Sequence, residues 1–266
     1  MQAVSLHRDA LVVTSRMWQT TTIALRAGGE CMLVDSPYFP DELEALPDLL
    51  SQAGFTPDGM LATHADFDHL LGRAAFPRLA LGVAESTALR LRAEPGAAQR
   101  ELRRQDEELY VERGPLSLGD LQPLPVPGKL ELGPMELELH PAEGHVEDGM
   151  AIAAPELGLL CCGDYLSPVE IPTISPGGSP TGYRSTLARL ARVLERVDYV
   201  VPGHGPPLAR EQAARIVDED ADYLDALEAG VERPELPPGR EGAWQRELHA
   251  RNLQALAGAA GSGIAP

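Results

Sequence analysis

Residues 61–72 read LATHADFDHLLG and place His64, Asp66, Asp68 and His69 within six positions, between two apolar runs. Two imidazoles and two carboxylates beside leucines are costly to desolvate unless something pairs with them. Imidazole nitrogen and carboxylate oxygen both ligate zinc, iron or manganese, so a divalent cation is one such partner. If the chain stays extended over 64–68, the period of two sends His64, Asp66 and Asp68 to one side. His69 then opens the next helix and points elsewhere. The alternative is an ordinary helix start, with Asp68 as cap and His69 incidental. The segment alone leaves both open.

Three further places carry ligating residue types. His145 follows a strand at PAEGH, where Gly144 permits close backbone approach. Asp164 ends the apolar run LGLLCCGD, and His204 stands between glycines in YVVPGHG. Singly each has an ordinary explanation, as a solvated histidine or as turn chemistry. Jointly they sit just beyond buried strands, where the loops of a sheet gather on one edge.

The elements that must position them follow from composition and period. ALVVTS and TTIALRAGGECMLVDS are strands, the second broken at Gly28-Gly29. PDELEALPDLLSQAG is an amphipathic helix closed by Gly54. GMLATH is a short buried strand, DHLLGRAAF begins a helix, and LALGVAES is a strand followed by a cap at Ser86. Residues 87–113 are helical and split by Pro95-Gly96. LQPLPVPG reads as a proline-rich connector, and KLELGPMELELHPAEGH as a hairpin. GMAIAAPELGLLCCGD gives two strands, and residues 166–182 a long irregular loop. STLARLARVLERV is a helix, DYVVPGHG a strand with its turn, and EQAARIVDEDADYLDALEAG a helix. The Gly/Ala-rich tail after Leu256 is expected to fray. Strands with helices thus appear twice, in 1–85 and 129–205. Two sheets face to face with helices outside both accommodate that order.

The order His-x-Asp-x-Asp-His, then Gly-His, Gly-Asp and Pro-Gly-His-Gly resembles the metallo-β-lactamase superfamily over about residues 10–210. The resemblance implies an α/β fold, a four-layer αββα sandwich with a binuclear metal centre at one edge. It implies that His64, Asp66 and His145 hold one ion, that Asp68, His69 and His204 hold the second, and that Asp164 bridges them. In MLVDSP it makes Asp35 a support for the metal loop. Most relatives have histidine where this chain has Asp66. The exchange makes the cage harder and more anionic, so iron or manganese competes with zinc, the first expectation for the pair of divalent ions. The alternative is that Asp66 falls short and only the second position fills. One domain is expected over 1–266, with a helical insert near 87–113 and a C-terminal helical extension over about 211–258.

The other candidates read as structural. Cys161 and Cys162 suit strand packing. His140 is structural or supports a ligand, His249 belongs on a surface helix, and Tyr165 and Tyr183 pack beside the irregular loop. Three cysteines, two of them adjacent, argue against a disulfide scaffold and suit a reducing cytoplasm. Neither a signal peptide nor a membrane span is expected. A net charge of −18 argues against nucleic acid as partner.

The expected function is a metal-dependent hydrolase that uses a metal-bound hydroxide on a small ester, thioester, lactone or phosphoester, with Asp68 as catalytic residue. No Gly-x-Ser-x-Gly elbow competes with it. The alternatives are a di-iron oxidoreductase-like protein and a metal-binding protein without turnover. Oligomeric state is not legible.

Overall fold

A computed structural model describes residues 1–262. Its first half runs β1 (Gln2–His7), β2 (Ala10–Thr14), β3 (Thr21–Ala27), β4 (Glu30–Asp35), α1 (Pro40–Gln52) and β5 (Gly59–Leu61). A 3-10 turn over Phe67–His69 follows, then α2 (Gly72–Ala75), β6 (Ala80–Ala84), α3 (Glu85–Ala93), α4 (Ala97–Leu109) and β7 (Leu121–Leu124). The second half runs β8 (Gly128–Leu132), β9 (Met135–Pro141), β10 (Met150–Ala154), β11 (Leu159–Cys161) and α5 (Pro180–Leu194). It ends in β12 (Tyr199–Val201), β13 (Leu208–Ala209), α6 (Arg210–Glu228) and α7 (Ala243–Ser262). Strands β1 to β7 form one sheet in chain order, and β13-β12-β11-β10-β9-β8 form the other.

Side-chain alternation builds the layers. In β3, Ile23 and Leu25 join Leu137, Leu139 and Ile152 of the opposite sheet in the inner core. Ala24 between them packs outward with Leu46 and Leu50 of α1. In β10, Ile152 faces inward while Ala151 and Ala153 pack with Leu187 and Leu190 of α5. Helix, sheet, sheet and helix are therefore stacked, the αββα sandwich expected from the resemblance.

Strands β4 to β7 are mutually parallel, as are β11 and β12, so their C-terminal ends gather at one rim. The rim is stitched across the sheets. Met150 N–H donates to Thr63 C=O at 2.7 Å, and Thr21 N–H donates to Gly203 C=O at 2.8 Å.

Several local expectations need correction. LQPLPVPG is not only a connector: Leu121–Leu124 pairs parallel with β6, the proline within it being tolerated because β7 is an edge strand. Gln2–His7, which carries no clear apolar alternation, forms the opposite edge strand. Helix α3 starts at Glu85, so Ser86 lies inside its first turn and does not cap it. His249 is buried, with Nδ1 3.0 Å from the Tyr223 hydroxyl and Nε2 3.0 Å from Val231 C=O. Beyond Leu256 the backbone stays helical to Ser262, since Ala and Leu propensity outweighs the isolated glycines. Residues 263–266 lie outside the described ones.

The C-terminal helices clamp the irregular loop between β11 and α5. Arg240, fully buried, donates to Asp220 at 2.5 Å and to Glu170 C=O at 2.9 Å. Asn252 donates to Pro172 C=O at 2.7 Å and accepts from Ile174 N–H at 2.8 Å, satisfying backbone groups that no strand partner reaches.

Candidate metal centre

The segment after β5 stays extended only as far as Asp66, whose backbone lies at φ −69°, ψ 142°. The 3-10 turn over Phe67–His69 then redirects the chain. The expected convergence of residues 64, 66 and 68 on one side is therefore corrected. His64 and Asp66 face one point, while Asp68 joins His69 at a second. Asp68 caps no helix; it lies inside the turn.

Around the first point, Asp66 Oδ2 lies 3.6 Å from His64 Nε2 and 3.4 Å from His145 Nε2. Asp164 Oδ2 lies 3.7 Å and 3.3 Å from the same two nitrogens. Around the second, Asp68 Oδ2 lies 3.7 Å from His69 Nε2 and 3.4 Å from His204 Nε2. Asp164 Oδ1 lies 3.0 Å and 3.4 Å from those nitrogens. One carboxylate thus presents an oxygen to each point. Donors bound at about 2.1 Å in a tetrahedron stand about 3.4 Å apart, so this spacing suits divalent ions.

The hydrogen bonding says the same. Nε2 of His64, His69 and His145, and Oδ1 of Asp164, are buried without a hydrogen-bond partner. Buried polar atoms are rarely left so. Every Nδ1, by contrast, has an oxygen beside it: Thr63 Oγ1 at 3.1 Å for His64, Asp35 at 3.0 Å for His69, Thr173 C=O at 2.8 Å for His145 and Trp18 C=O at 3.2 Å for His204. A proton on Nδ1 leaves the Nε2 lone pair aimed inward, as a ligating imidazole requires. Asp35 also accepts from Thr63 N–H and Oγ1, in keeping with the support that the resemblance implies.

Burial alone would lower the His145 and His204 pKa values. The facing carboxylates outweigh it, Asp66 and Asp164 taking His145 up to about 9 and Glu170 and Asp164 taking His204 up to about 10. Burial would raise Asp66 and Asp164, yet the imidazoles hold both well below the usual carboxylate range.

Small residues make the approach possible. A methyl at Gly203 would stand 2.5 Å from Asp164 Oδ1, and Gly144, at φ +126°, lies against the Tyr183 backbone. Tyr165 accepts from His145 N–H and donates to Ala142 C=O, and Tyr183 donates to Asp164 C=O, so both rings brace ligand loops. Cys161 and Cys162 pack in the core, where burial pushes both thiols above their ordinary pKa. His140 pairs with Glu138 on β9, away from the cluster.

Two groups of side chains escaped the sequence reading. Arg90 of α3 donates to Asp66 Oδ1 at 2.9 Å and to buried Asp148 at 2.7 Å, while Asp148 accepts from Ala65 N–H at 3.0 Å. One Asp66 oxygen is held by the guanidinium and the other faces the imidazoles. Glu170, from the irregular loop, brings a carboxylate oxygen to Asp164 and His204, the three donor atoms lying within 4.8 Å of one another. Burial raises its pKa, which His204 partly offsets. No periodicity marks either residue; only tertiary structure brings them here.

Residues 16–204 match the family model of the metallo-beta-lactamase superfamily. The chain belongs to that superfamily. Solved structures agree in fold. The metallo-beta-lactamase family protein TTHA1429 from Thermus thermophilus is 19% identical, with a TM-score of 0.70 over 97% of this chain and 95% of its own. The sec-alkylsulfatase Pisa1 from Pseudomonas sp. is 15% identical, with a TM-score of 0.74 over 99% of this chain and 52% of its own. TTHA1623, solved in a di-iron-bound form, is 25% identical, with a TM-score of 0.62 over 77% of this chain and 97% of its own. No curated protein matches the sequence.

Proposed function

We propose that this chain is a metal-dependent hydrolase of small molecules, with His64, Asp66, His145 and Asp164 holding one divalent ion and Asp68, His69, His204 and Asp164 holding a second. The observation that carries this reading is the set of buried, partnerless imidazole nitrogens, each facing carboxylate oxygens at 3.0–3.7 Å. Divalent ions there supply Lewis acidity and lower the pKa of a coordinated water from about 15.7 toward 7. Zinc is the first candidate, with iron or manganese competing.

The chain's own groups divide the remaining work. Asp68 orients the attacking water and carries its proton to the leaving group. Asp164 keeps the two halves of the centre in register. A cavity of about 440 Å³ opens beside Asp66, and Phe67, Arg90, Leu91, Ser175 and Pro176 are among the residues that line it. That volume suits a small molecule. Small esters, thioesters, lactones and phosphoesters are the substrate classes, and the likeness in fold to a sec-alkylsulfatase adds alkyl sulfates to the panel. The charge of −18 disfavours nucleic acid. No described helix is long and apolar enough to cross a membrane. The three cysteines are buried and free, which suits a cytoplasmic setting.

A second reading, di-iron redox chemistry, is favoured by the Asp66 carboxylate and by the di-iron form of TTHA1623. Metal analysis of protein purified without added metal, joined to a hydrolysis panel, separates the two. Two divalent ions per chain, with hydrolysis abolished by chelation and restored by metal, is the expected outcome. Iron bound without hydrolysis of any class supports the second reading, and a protein that retains no metal overturns both.

A further inference from the structure

We infer that Glu170 is an additional carboxylate donor to the ion held by Asp68, His69 and His204. That position then has five protein donors against four at its neighbour. The inference rests on the metal reading above and adds to it a residue from a segment that matches no part of the ligand pattern.

The placement of Glu170 is built rather than incidental. Its N–H donates to Ser167 Oγ at 3.0 Å, and its C=O accepts from buried Arg240 at 2.9 Å. Ser167 Oγ in turn donates to the backbone oxygen of His204 at 2.8 Å. The Glu170 backbone is therefore fixed on both sides and tied to a ligand of the second ion. Its carboxylate makes no hydrogen bond and no ion pair among the described residues, yet it stands with Asp164 and His204 in a group whose donor atoms lie within 4.8 Å of one another. His69 Nε2 and Asp164 Oδ1, buried and without a hydrogen-bond partner, lie 3.0 Å apart. A carboxylate held against another carboxylate is repulsive unless a cation lies between them.

Donors on one ion with bonds of about 2.1 Å stand between about 3.0 Å and about 4.2 Å apart, depending on whether they are adjacent or opposed. The other donors around this ion, at 3.0–3.7 Å, span the shorter part of that range. The Glu170 donor lies within 4.8 Å of those of Asp164 and His204. Two imidazoles and three carboxylates exceed the four donors of a closed zinc site. They suit the higher coordination numbers of iron or manganese.

Cobalt(II) titration of the full chain tests this, because the visible absorption of cobalt strengthens as its coordination number falls. The wild type is expected to take up two cobalt ions. Glu170→Gln is expected to bind the second about 10-fold or more weakly, with a stronger visible band for that ion and an unchanged first ion. Glu170→Ala repeats the test; because Glu170 faces His204 in the metal-free protein, circular dichroism of each metal-free variant checks that it is folded before titration. Titration curves and spectra in both variants equal to those of the wild type would overturn the inference. A wild type that binds no cobalt overturns the metal reading itself, which is a different result.

Discussion

Asp66 stands where the resemblance leads one to expect histidine, and its two oxygens face different partners. Arg90 holds Oδ1 at 2.9 Å, while Oδ2 faces His64 and His145 at tetrahedral-edge spacing. The added negative charge is met by a guanidinium that Asp148 anchors in turn. Asp66→His is therefore expected to shift retained metal toward zinc, measured by elemental analysis of protein grown in mixed metals. Unchanged metal identity and stoichiometry would place Asp66 outside the coordination sphere. The imidazoles make a second expectation. In the metal-free fold His145 and His204 are raised to about 9 and about 10, above the ordinary histidine value, by carboxylates that outweigh burial. Raised values mean that both hold protons at neutral pH, so their ion-pairing stabilises the metal-free fold at low pH and fades as pH climbs through 9–10. Metal must displace those protons, and apparent affinity rises with pH up to that window. The carboxylates of Asp164, Asp35 and Asp68 outweigh burial at His69 as well and hold it well above the ordinary histidine value, so calorimetry at pH 7 in buffers of different ionisation enthalpy is expected to show two or more protons released per chain loaded. At this scale the seven ligand candidates were legible because ligating residues recur after apolar strands. Glu170 and Arg90 were not, since one lies in a loop without period and the other is one of two arginines on α3 with nothing local to distinguish it.

Among the elements, the strand ends carry the chemistry. Parallel pairing of β4, β5 and β6, and of β11 with β12, brings Asp35, His64, Asp164 and His204 to a common rim. The alternation of apolar residues made most of these strands readable. Edge strands β1 and β7 were not, because an edge needs no two-sided apolar pattern and tolerates proline. The 3-10 turn at Phe67–His69 also escaped, and it places the Asp68 carboxylate beside His69 and His204. The close approach of β12's turn to β11's is a point of fine tolerance. Gly203→Ala sets a methyl 2.5 Å from Asp164 Oδ1 and 2.8 Å from the His69 ring. Overpacking of this kind costs about 1–3 kcal/mol. The variant is expected to melt lower and to lose metal at the second position, measured by thermal unfolding with and without added metal. Wild-type melting and metal content would show that the rim is more yielding than its spacing implies.

Over the whole molecule, two sheets and their outer helices form a frame, and the C-terminal helices supply what the frame alone lacks. Asn252, Arg240 and Gln245 hold the loop from Ser167 to Ile174, which carries Thr173 against His145 and Glu170 against His204. His249 shows why sequence placed it wrongly. A histidine in ELHARNLQAL looks exposed on a polar helix, yet the helix buries that face against Tyr223 and Val231. Distant segments meeting at one place are legible as a pattern of residue types, whereas the clamp that fixes them depends on helix docking that no local signal encodes. In the proposed centre, residues from distant stretches of chain hold two ions that share Asp164. Anomalous X-ray scattering from crystals of the metal-loaded protein locates those ions. Two peaks are expected, one among His64, Asp66 and His145 and the other among Asp68, His69 and His204, with Asp164 touching both. A single peak, or peaks away from these side chains, would contradict it.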